Sequence, residues 1–415
     1  MTRTLESITK HIGALPQMKS QTMKAIRIHN YGGPEVLQYE AAPRPKPGKG
    51  EVLIRVHAAG VNPIDWKVRA GYMKDFIAHS FPIILGWDVS GVIEEVGPNV
   101  SRFKKGDEVY SLPDHTRNGA YGEYIVVRES EVALKPNALH HVRAAAMPLA
   151  TLTAWQALFD TAQLQPRQRV LIHGAAGGVG HFAVQLAKWK GAHVIGTASA
   201  RNHEMLYELG ADELIDYTVL KFESIVRDVD VVLDTIGGDT QERSWQVLKK
   251  GGALVSLVQQ PSENKAKEHG VRGIRLGARA NGQELVEIAK IVDAGKLAPV
   301  IDRILPLSEA RRAHELSQSG HTHGKIVLRV KNGNGTTERM ARFRSEHSGR
   351  VPTQSGLFRP DQNPRPVLPC EFAGDFVSSI VIGESRLKIV RVLDVKFGGG
   401  ILKNVGPKHL NWLQR

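Results

Sequence analysis

The sequence has very little cysteine: Cys370 is its single thiol in 415 residues. One thiol excludes a disulfide framework within the chain, and it excludes a zinc site built from cysteines. Long apolar runs are also missing, since none approaches the roughly 20 residues of a membrane-spanning helix. These absences predict a protein without a membrane span. Together with the missing secretory signal described next, they predict a cytoplasmic protein.

Residues 1–22 lack the apolar core of a secretory signal, because they are polar and mixed in charge. An organelle-targeting segment is the alternative interpretation, and Glu6 and the shortage of arginine count against it. The run from Met23 to Ile28 has the pattern of a first strand. We therefore predict that residues 1–22 are an N-terminal extension and that the folded part begins at Met23.

The net charge of +13 could indicate a nucleic-acid-binding protein, but its distribution argues otherwise. The positive surplus is seven in residues 331–415 and two in residues 1–22, which leaves only four for residues 23–330. A modest surplus of this size suits an enzyme that binds an anionic cofactor. Contact between the basic tail and nucleic acid or anionic lipid is the alternative that we do not favour.

The most informative segment present is VLIHGAAGGVG at residues 170–180. An apolar strand runs into a glycine-rich turn, and an amphipathic helix follows at once, as a dinucleotide-binding βα unit requires. Gly177 lets the backbone approach a pyrophosphate, and Gly180 lets the helix pack tightly on the strand. Ala175 stands where the usual motif has its first glycine.

Further strands and helices follow this turn in alternation. Residues 192–197 have a strand pattern, residues 202–209 a helix pattern, and residues 230–234 a second apolar strand pattern. A glycine-rich turn in some other α/β protein is the alternative. The succession favours a nucleotide site.

The end of the second strand distinguishes the two nicotinamide cofactors. An NAD site usually has an acidic residue about 20 positions after the glycines. Here the strand is followed by Ser199 and Arg201, without an acid. A hydroxyl and a guanidinium would bind a 2′-phosphate, so we predict NADP. A solvated arginine at a helix start is the alternative for Arg201.

The composition divides the chain into five parts. Short β-branched runs with Gly/Pro turns predict a mostly β domain, and alternating strands and helices predict an α/β domain. A helix at residues 284–294 and a last strand at residues 325–330 predict a return to the first domain. Residues 331–415 predict a basic, poorly ordered tail, in which residues 376–395 could pair as strands. The predicted parts are residues 1–22, 23–147, 148–275, 276–330 and 331–415.

Residues 23–330 resemble the medium-chain dehydrogenase/reductase superfamily, in its zinc-free quinone oxidoreductase and 2-alkenal reductase branch. The motifs that carry the resemblance fall in family order: YGGPEVL at residues 31–37, GVNPID at 60–65, GAYGEY at 119–124, LTAW at 152–155, GAAGGVG at 174–180, DTIGG at 234–238 and GKIVL at 324–328. The resemblance implies an α/β protein. It implies a Rossmann-type parallel-sheet nucleotide domain and a mostly β GroES-like catalytic domain.

The resemblance also implies that no metal takes part. Zinc-dependent relatives bind the metal through a cysteine and a histidine at places that hold Asn62 and Trp87 here. Asparagine and tryptophan are poor zinc ligands. The chain has 17 histidines, but they are scattered in the sequence.

A site without a metal suits acceptors that need only a hydride and a proton, such as quinones and α,β-unsaturated carbonyls. The resemblance implies reduction of a quinone, enal or enone by hydride from C4 of NADPH. Asn62 matches a family asparagine whose amide could donate to the substrate carbonyl, and Tyr72 matches a pocket tyrosine that could deliver the proton. Alternatively, Asn62 shapes the turn before Pro63, Tyr72 is a wall of the pocket, and solvent supplies the proton. Trp66 replaces a tyrosine found in many quinone reductases.

The remaining predicted site residues come from the same match. Tyr217 closes over the 2′-phosphate or, alternatively, is a surface residue, and Lys325 approaches the nicotinamide or lies in solvent. The complete predicted cofactor set is Thr153, Ala176, Gly177, Gly178, Val179, Ser199, Arg201, Tyr217, Gly237, Gly238, Leu257 and Lys325.

Two other functions stay open at this point. Some zinc-free relatives are structural or RNA-binding proteins with little turnover, and others reduce biosynthetic enoyl substrates. Because the family often pairs nucleotide-domain sheets edge to edge, we also expect a homodimer.

Overall fold

The computed structural model of this chain describes residues 21–330 and two strands at residues 378–383 and 386–391. The chain divides into two compact units, Met1–Thr336 and Thr337–Arg415. The predicted N-terminal extension and the predicted poorly ordered tail lie almost entirely outside the described residues.

The described part of the first unit contains sixteen short strands. In chain order the strands are β1 (Thr22–Ile28), β2 (Gln38–Pro43), β3 (Glu51–Val61), β4 (Ile83–Ile84), β5 (Asp88–Val96), β6 (Glu108–Ser111), β7 (Tyr124–Arg128), β8 (Val132–Leu134), β9 (Arg169–His173), β10 (His193–Thr197), β11 (Glu213–Ile215), β12 (Val229–Asp234), β13 (Leu248–Ser256), β14 (Arg272–Arg275), β15 (Ile301–Pro306) and β16 (Lys325–Arg329). The second unit holds β17 (Ser378–Gly383) and β18 (Arg386–Arg391).

The helices of the described residues are all short. They are α1 (Pro63–Arg69), α2 (His141–Ala144), α3 (Pro148–Trp155), α4 (Gly180–Trp189), α5 (His203–Glu208), α6 (Phe222–Ile225), α7 (Gly238–Ser244), α8 (Glu263–His269), α9 (Gly282–Asp293) and α10 (Ala310–Gln318). None of these helices has the length and apolar character needed to cross a membrane.

Six parallel strands form a Rossmann-type sheet, in the order β11-β10-β9-β12-β13-β14. All six residues of β12 are buried, as expected for an inner strand of a parallel sheet that is covered on both faces. The strand order reverses between β9 and β12. In such sheets the ligand binds at the carboxyl ends of the strands beside this reversal.

Mostly antiparallel strands form the second part of the first unit, with β15 and β16 as the one parallel pair among those described. A seven-stranded sheet has the order β15-β16-β3-β5-β6-β8, with β7 also paired to β3, and a three-stranded sheet has the order β2-β1-β4. The predicted α/β fold, with a Rossmann-type sheet and a mostly β GroES-like domain, is confirmed. The boundaries at residues 147, 275 and 330 stay predictions, because the first unit is one compact body.

The strand predicted to return to the first domain does so. β16 pairs antiparallel with β3, with Ile326 opposite Val61. This register places the start of β16 beside the end of β3, so Lys325 and Asn62 become neighbours although 263 positions separate them in the sequence.

In the second unit, β17 pairs antiparallel with β18, with Ser378 opposite Arg391. This pairing confirms the strands predicted within residues 376–395.

Candidate active site

The glycine turn between β9 and α4 has the close packing that the sequence predicts. A Cβ atom on Gly180 would lie 2.2 Å from the carbonyl oxygen of Gly174 and 2.8 Å from backbone atoms of Ala175. Only glycine fits there, which confirms the predicted role of Gly180. The N–H groups of Gly178 and Val179 have no acceptor among the described residues. Free N–H groups at the start of a helix fit a phosphate group.

The side chain of a buried histidine forms a hydrogen bond with the backbone of this turn. The Nδ1 atom of His181 lies 2.8 Å from the carbonyl oxygen of Gly177, and its Nε2 atom accepts the N–H of Val300 at 3.2 Å. These partners assign the proton to Nδ1. Burial lowers the pKa of His181 to about 4, so the ring is neutral at pH 7. His181 therefore ties the turn to the chain that leads into β15.

A buried carboxylate shapes the turn after β12. Oδ1 of Asp234 accepts the N–H groups of Ile236 and Gly237 at 2.9 and 2.8 Å. Its Oδ2 accepts from Gln241 at 2.9 Å and from the hydroxyl of Ser256 at 2.8 Å. Asp234 thus fixes the backbone of Gly237 at the carboxyl edge of the parallel sheet.

Leu257 and Thr153, two other predicted cofactor residues, are held by backbone contacts. The N–H of Leu257 donates to the carbonyl oxygen of Asp234 at 2.9 Å. The Thr153 side chain, within α3, donates its hydroxyl to the carbonyl oxygen of Leu149 at 2.6 Å. Leu257 therefore lies beside the turn that contains Gly237 and Gly238, and the cofactor roles of all four residues stay predictions.

Ser199, Arg201 and Tyr217 follow the ends of the adjacent parallel strands β10 and β11. Arg201 is exposed, and so is Tyr217, with 62% of its surface accessible. Asp216 was not predicted from the sequence, and its Oδ2 accepts the N–H of Ala200 at 3.2 Å. Hydrogen bonds from Thr218 hold the pKa of Asp216 below its usual value. A carboxylate therefore lies near the predicted 2′-phosphate residues.

Asn62, Asp88 and Lys325 form a buried polar cluster at the end of β3. The side-chain amide of Asn62 donates to Oδ2 of Asp88 at 2.8 Å, and its carbonyl oxygen accepts from the ammonium of Lys325. The ammonium also lies 3.4 Å from Oδ2 of Asp88. Lys325 is 3% exposed and Asp88 is fully buried. A full positive charge thus lies inside the protein, neutralised by one carboxylate.

A second buried carboxylate lies below this cluster. Oδ2 of Asp65 accepts the N–H of Asn62 at 2.8 Å and the hydroxyl of Tyr121 at 2.7 Å. Burial raises the pKa of Asp65 to about 7, and the nearby charge of Asp88 acts in the same direction. Asp65 fixes the backbone of Asn62 at the start of α1.

The sequence analysis missed the roles of Asp65 and Asp88. Asp65 is part of the GVNPID motif, and Asp88 follows Trp87 in a segment that we considered only for zinc ligands. The one available signal was a pair of acidic residues in otherwise apolar surroundings. Their partners could be found only in the folded chain.

The other predicted catalytic residue, Tyr72, lies on the surface with 67% of its area exposed. Its ring meets Trp66 edge-on, with 6.1 Å between the ring centroids. No hydrogen bond joins Tyr72 to Asn62, Asp88 or Lys325 in this region of the described chain. Lys325 thus forms a hydrogen bond with Asn62. Among the described residues, Tyr72 forms no hydrogen bond with either of them.

The glycine turn and the polar cluster meet at Gly324. The N–H of Gly324 donates to the carbonyl oxygen of Ala176 at 3.0 Å. The N–H of Lys325 donates to the carbonyl oxygen of Val300 at 2.9 Å. A Cβ atom on Gly178 would lie 3.3 Å from the carbonyl oxygen of Gly324 and 3.5 Å from Cδ of Lys325. The glycine turn and the buried Lys325 side chain are therefore adjacent.

Trp87, at the second place where zinc-dependent relatives have a ligand, is fully buried. Its indole N–H donates to the carbonyl oxygen of Arg117 at 3.1 Å. Residues 21–330 contain no group of three or more histidine, cysteine or acidic side chains placed to hold a metal ion.

Comparisons with known proteins agree on one family. The model of the alcohol dehydrogenase GroES-like domain matches residues 48–137, and the model described as zinc-binding dehydrogenase matches residues 209–328. The mitochondrial NAD(P)H oxidoreductase RTN4IP1 of Mus musculus is 38% identical, over 75% of this chain and 90% of its own. The 2-methylene-furan-3-one reductase of Solanum lycopersicum is 36% identical, over 74% of this chain and 79% of its own.

A solved structure gives the same result. The quinone oxidoreductase from Coxiella burnetii superposes with a TM-score of 0.69 at 39% identity, covering 75% of this chain and all of its own.

Proposed function

Since this chain belongs to the zinc-free quinone oxidoreductase and 2-alkenal reductase branch of the medium-chain dehydrogenase/reductase superfamily, we propose that it reduces quinones and α,β-unsaturated carbonyls with NADPH. It is an oxidoreductase that uses a nicotinamide cofactor. One observation carries the finer proposal: a phosphate-binding turn with free N–H groups lies against a buried cluster that contains an amide and an ammonium.

For the cofactor, we propose that the turn at residues 176–179 binds the pyrophosphate. The unpartnered N–H groups of Gly178 and Val179 support this, because they offer donors without any rearrangement. Ser199, Arg201 and Tyr217 take the 2′-phosphate. Thr153 contacts the nicotinamide half of the cofactor, and Gly237, Gly238 and Leu257 line the cofactor cleft through backbone atoms.

For the chemistry, the bound NADPH supplies the hydride. Asn62 orients the substrate, because its amide has a second hydrogen that can donate to the carbonyl oxygen as negative charge develops there. Tyr72 is the candidate proton donor among the side chains, and its exposure allows solvent to serve instead.

We propose that this reaction needs no zinc. The ligand places hold Asn62 and Trp87, and the Asn62 carbonyl oxygen already accepts from the Lys325 ammonium. A divalent cation at this place would be repelled by that ammonium. Local electrostatics supports a site in which hydrogen-bond donors stabilise the developing charge.

Location and assembly are predictions of the same kind. The cytoplasmic location stays a prediction, and the mouse relative is named as mitochondrial.

For the homodimer, β14 is an edge strand of the parallel sheet and offers a surface for edge-to-edge pairing.

A steady-state assay tests the proposal. Purified protein is offered NADPH or NADH with 1,4-benzoquinone, 9,10-phenanthrenequinone, a 2-alkenal and a simple ketone. We expect NADPH-dependent turnover of quinone or alkenal that a chelator does not change. Tight NADPH binding without turnover of any acceptor would favour the nucleotide-binding alternative or a biosynthetic enoyl substrate.

The cofactor preference depends on Arg201. We expect Arg201→Ala to raise the Kd of NADPH by roughly 10- to 100-fold, because a charge-assisted phosphate contact contributes about 1.5–3 kcal/mol. The Kd of NADH should change little. Both affinities are measured by titration of nicotinamide fluorescence.

The matched control for this substitution is Arg312→Ala. Arg312 is exposed and pairs only with Glu309, at 3.3 Å, on the same helix turn. Equal losses of NADPH and NADH affinity in Arg201→Ala, or a wild type that prefers NADH, would contradict the proposed role. Asp216, close to Ala200, is then the residue that explains an NADH preference.

A further inference from the structure

We infer that Lys325 is a positioning residue, which orients and polarises the Asn62 amide so that this amide becomes a strong donor to the substrate carbonyl. This inference rests on the proposed reductase function and identifies what replaces a Lewis acid in the site. It assigns to Lys325 a role distinct from the cofactor contact that the sequence suggested.

The orientation of the Asn62 amide follows from its two neighbours. An ammonium can only donate and an ionised carboxylate can only accept. The amide oxygen must therefore face Lys325, and the amide nitrogen must face Asp88, as the structure has them. The reverse orientation would place two donors together and two acceptors together. One amide hydrogen is used by Asp88, and the other has no acceptor among the described residues.

The hydrogen-bonding capacity of the Lys325 ammonium is satisfied inside the protein. Its three hydrogens have three acceptors: the amide oxygen of Asn62, the carbonyl oxygen of Val61 at 3.4 Å and Oδ2 of Asp88 at 3.4 Å. Lys325 cannot donate to a substrate without losing one of them. It therefore acts through Asn62.

Burial strengthens the effect of the Lys325 charge on the Asn62 amide. Lys325 is 3% exposed, and a charge at the amide oxygen polarises the whole amide group more strongly here than in water. Electron density shifts toward the oxygen, and the remaining N–H becomes a stronger donor. That donor stabilises the negative charge that forms on a carbonyl oxygen during reduction.

Hydrogen bonds connect the cluster to α3 and, through Val300, to α4. Oδ1 of Asp88 accepts the N–H of Leu149 at 2.6 Å, next to the start of α3. The backbone of Lys325 donates to Val300, whose own N–H donates to His181. A preorganised donor of this kind needs no reorientation during the reaction.

The test uses a chromophore, so it does not depend on turnover. 4-(Dimethylamino)cinnamaldehyde absorbs at longer wavelength when a donor polarises its carbonyl oxygen. It is added to wild-type protein saturated with NADP⁺, which cannot deliver a hydride. We expect a red-shifted spectrum that saturates with probe concentration. We expect a smaller shift in the double variant Lys325→Met/Asp88→Asn, which removes both charges and so leaves no unpaired buried charge.

Two more variants complete the set. Lys325→Arg keeps the cation and should restore part of the shift. Lys290→Met is the matched control, because Lys290 is exposed and, among the described residues, its side chain forms an ion pair with Glu287 alone. In the assay, the double variant should lose roughly 10- to 100-fold in kcat, somewhat less than the loss of a direct oxyanion donor. Its Kd for NADPH should stay within about threefold, since the inferred role is exerted on the carbonyl and not on the cofactor.

The outcomes separate the inference from the proposed function. A wild type without a red shift, or a double variant with an unchanged shift, overturns the inference whether or not the enzyme turns over. A loss confined to NADPH affinity also overturns it and makes Lys325 a cofactor ligand. A wild type that shows the shift but reduces no acceptor contradicts the proposed reductase function and leaves the inference standing.

Discussion

Acidification from pH 6.5 to 4.5 is expected to lower the free energy of unfolding, with a net contribution of about 4 kcal/mol from three buried histidines and one buried aspartate, because the neutral histidines become protonated when the chain unfolds. Burial lowers the pKa of His173 and His181 to about 4 and that of His314 to about 3. The charge of Arg69, which donates to His314 at 3.2 Å, acts in the same direction. All three rings are therefore neutral in the folded protein at pH 5.

The sign follows from proton counts in the two states. Between the folded values and the ordinary value of 6.5, the unfolded chain binds more protons at these histidines, so stability is lost as the pH falls. Asp65 opposes this, because burial raises its pKa to about 7 and the folded state keeps its proton. The three histidines and Asp65 contribute with opposite signs. Together they give the free energy of unfolding a net slope of about 2 kcal/mol per pH unit near pH 5.

Urea unfolding at several pH values between 4.5 and 6.5 measures this slope. His314→Gln should reduce it by about 1.4 kcal/mol per pH unit, since one titrating group is removed while an acceptor for Arg69 remains. His321→Gln, at an exposed position, is the control and should leave the slope unchanged. Equal slopes in wild type and His314→Gln would show that His314 does not titrate with folding.

The sequence predicts the elements of this fold well where local signals agree. The helix predicted at residues 284–294 is α9, and it begins as expected for a capped helix, because the side chain of Asn281 accepts the N–H groups of Gln283 and Glu284. The strand, turn and helix at residues 170–190 were predicted from apolar periodicity and glycine spacing. Both signals lie within one short segment.

The polar cluster could not be predicted in the same way. Asn62, Asp88 and Lys325 come from three distant segments, and only the antiparallel register of β16 with β3 makes two of them neighbours. Asn62 and Lys325 are predicted from family motifs, but as separate contacts. Their shared function depends on hydrogen-bond partners, which sequence patterns do not specify.

Replacing Gly180 by alanine is expected to destabilise the protein by about 3 kcal/mol or more, because the new methyl group would overlap backbone atoms that cannot move independently. It would lie 2.2 Å from the carbonyl oxygen of Gly174 and 2.8 Å from the backbone of Ala175. These atoms belong to the glycine turn itself, which we propose binds the pyrophosphate. Relief of the overlap must push α4 away from β9 or distort the turn, and either change misplaces the free N–H groups of Gly178 and Val179.

The measurements are the free energy of unfolding in urea and the Kd of NADPH for the fraction that folds. Gly277→Ala is the matched control, because a Cβ atom there meets nothing within 4 Å. Its stability should change by no more than about 0.5 kcal/mol. If Gly180→Ala unfolds like wild type and binds NADPH equally well, then the close contact of α4 with the turn is not what builds the nucleotide site. If it is stable but has lost NADPH, the contact serves the site alone, and the strand–turn–helix unit folds without it.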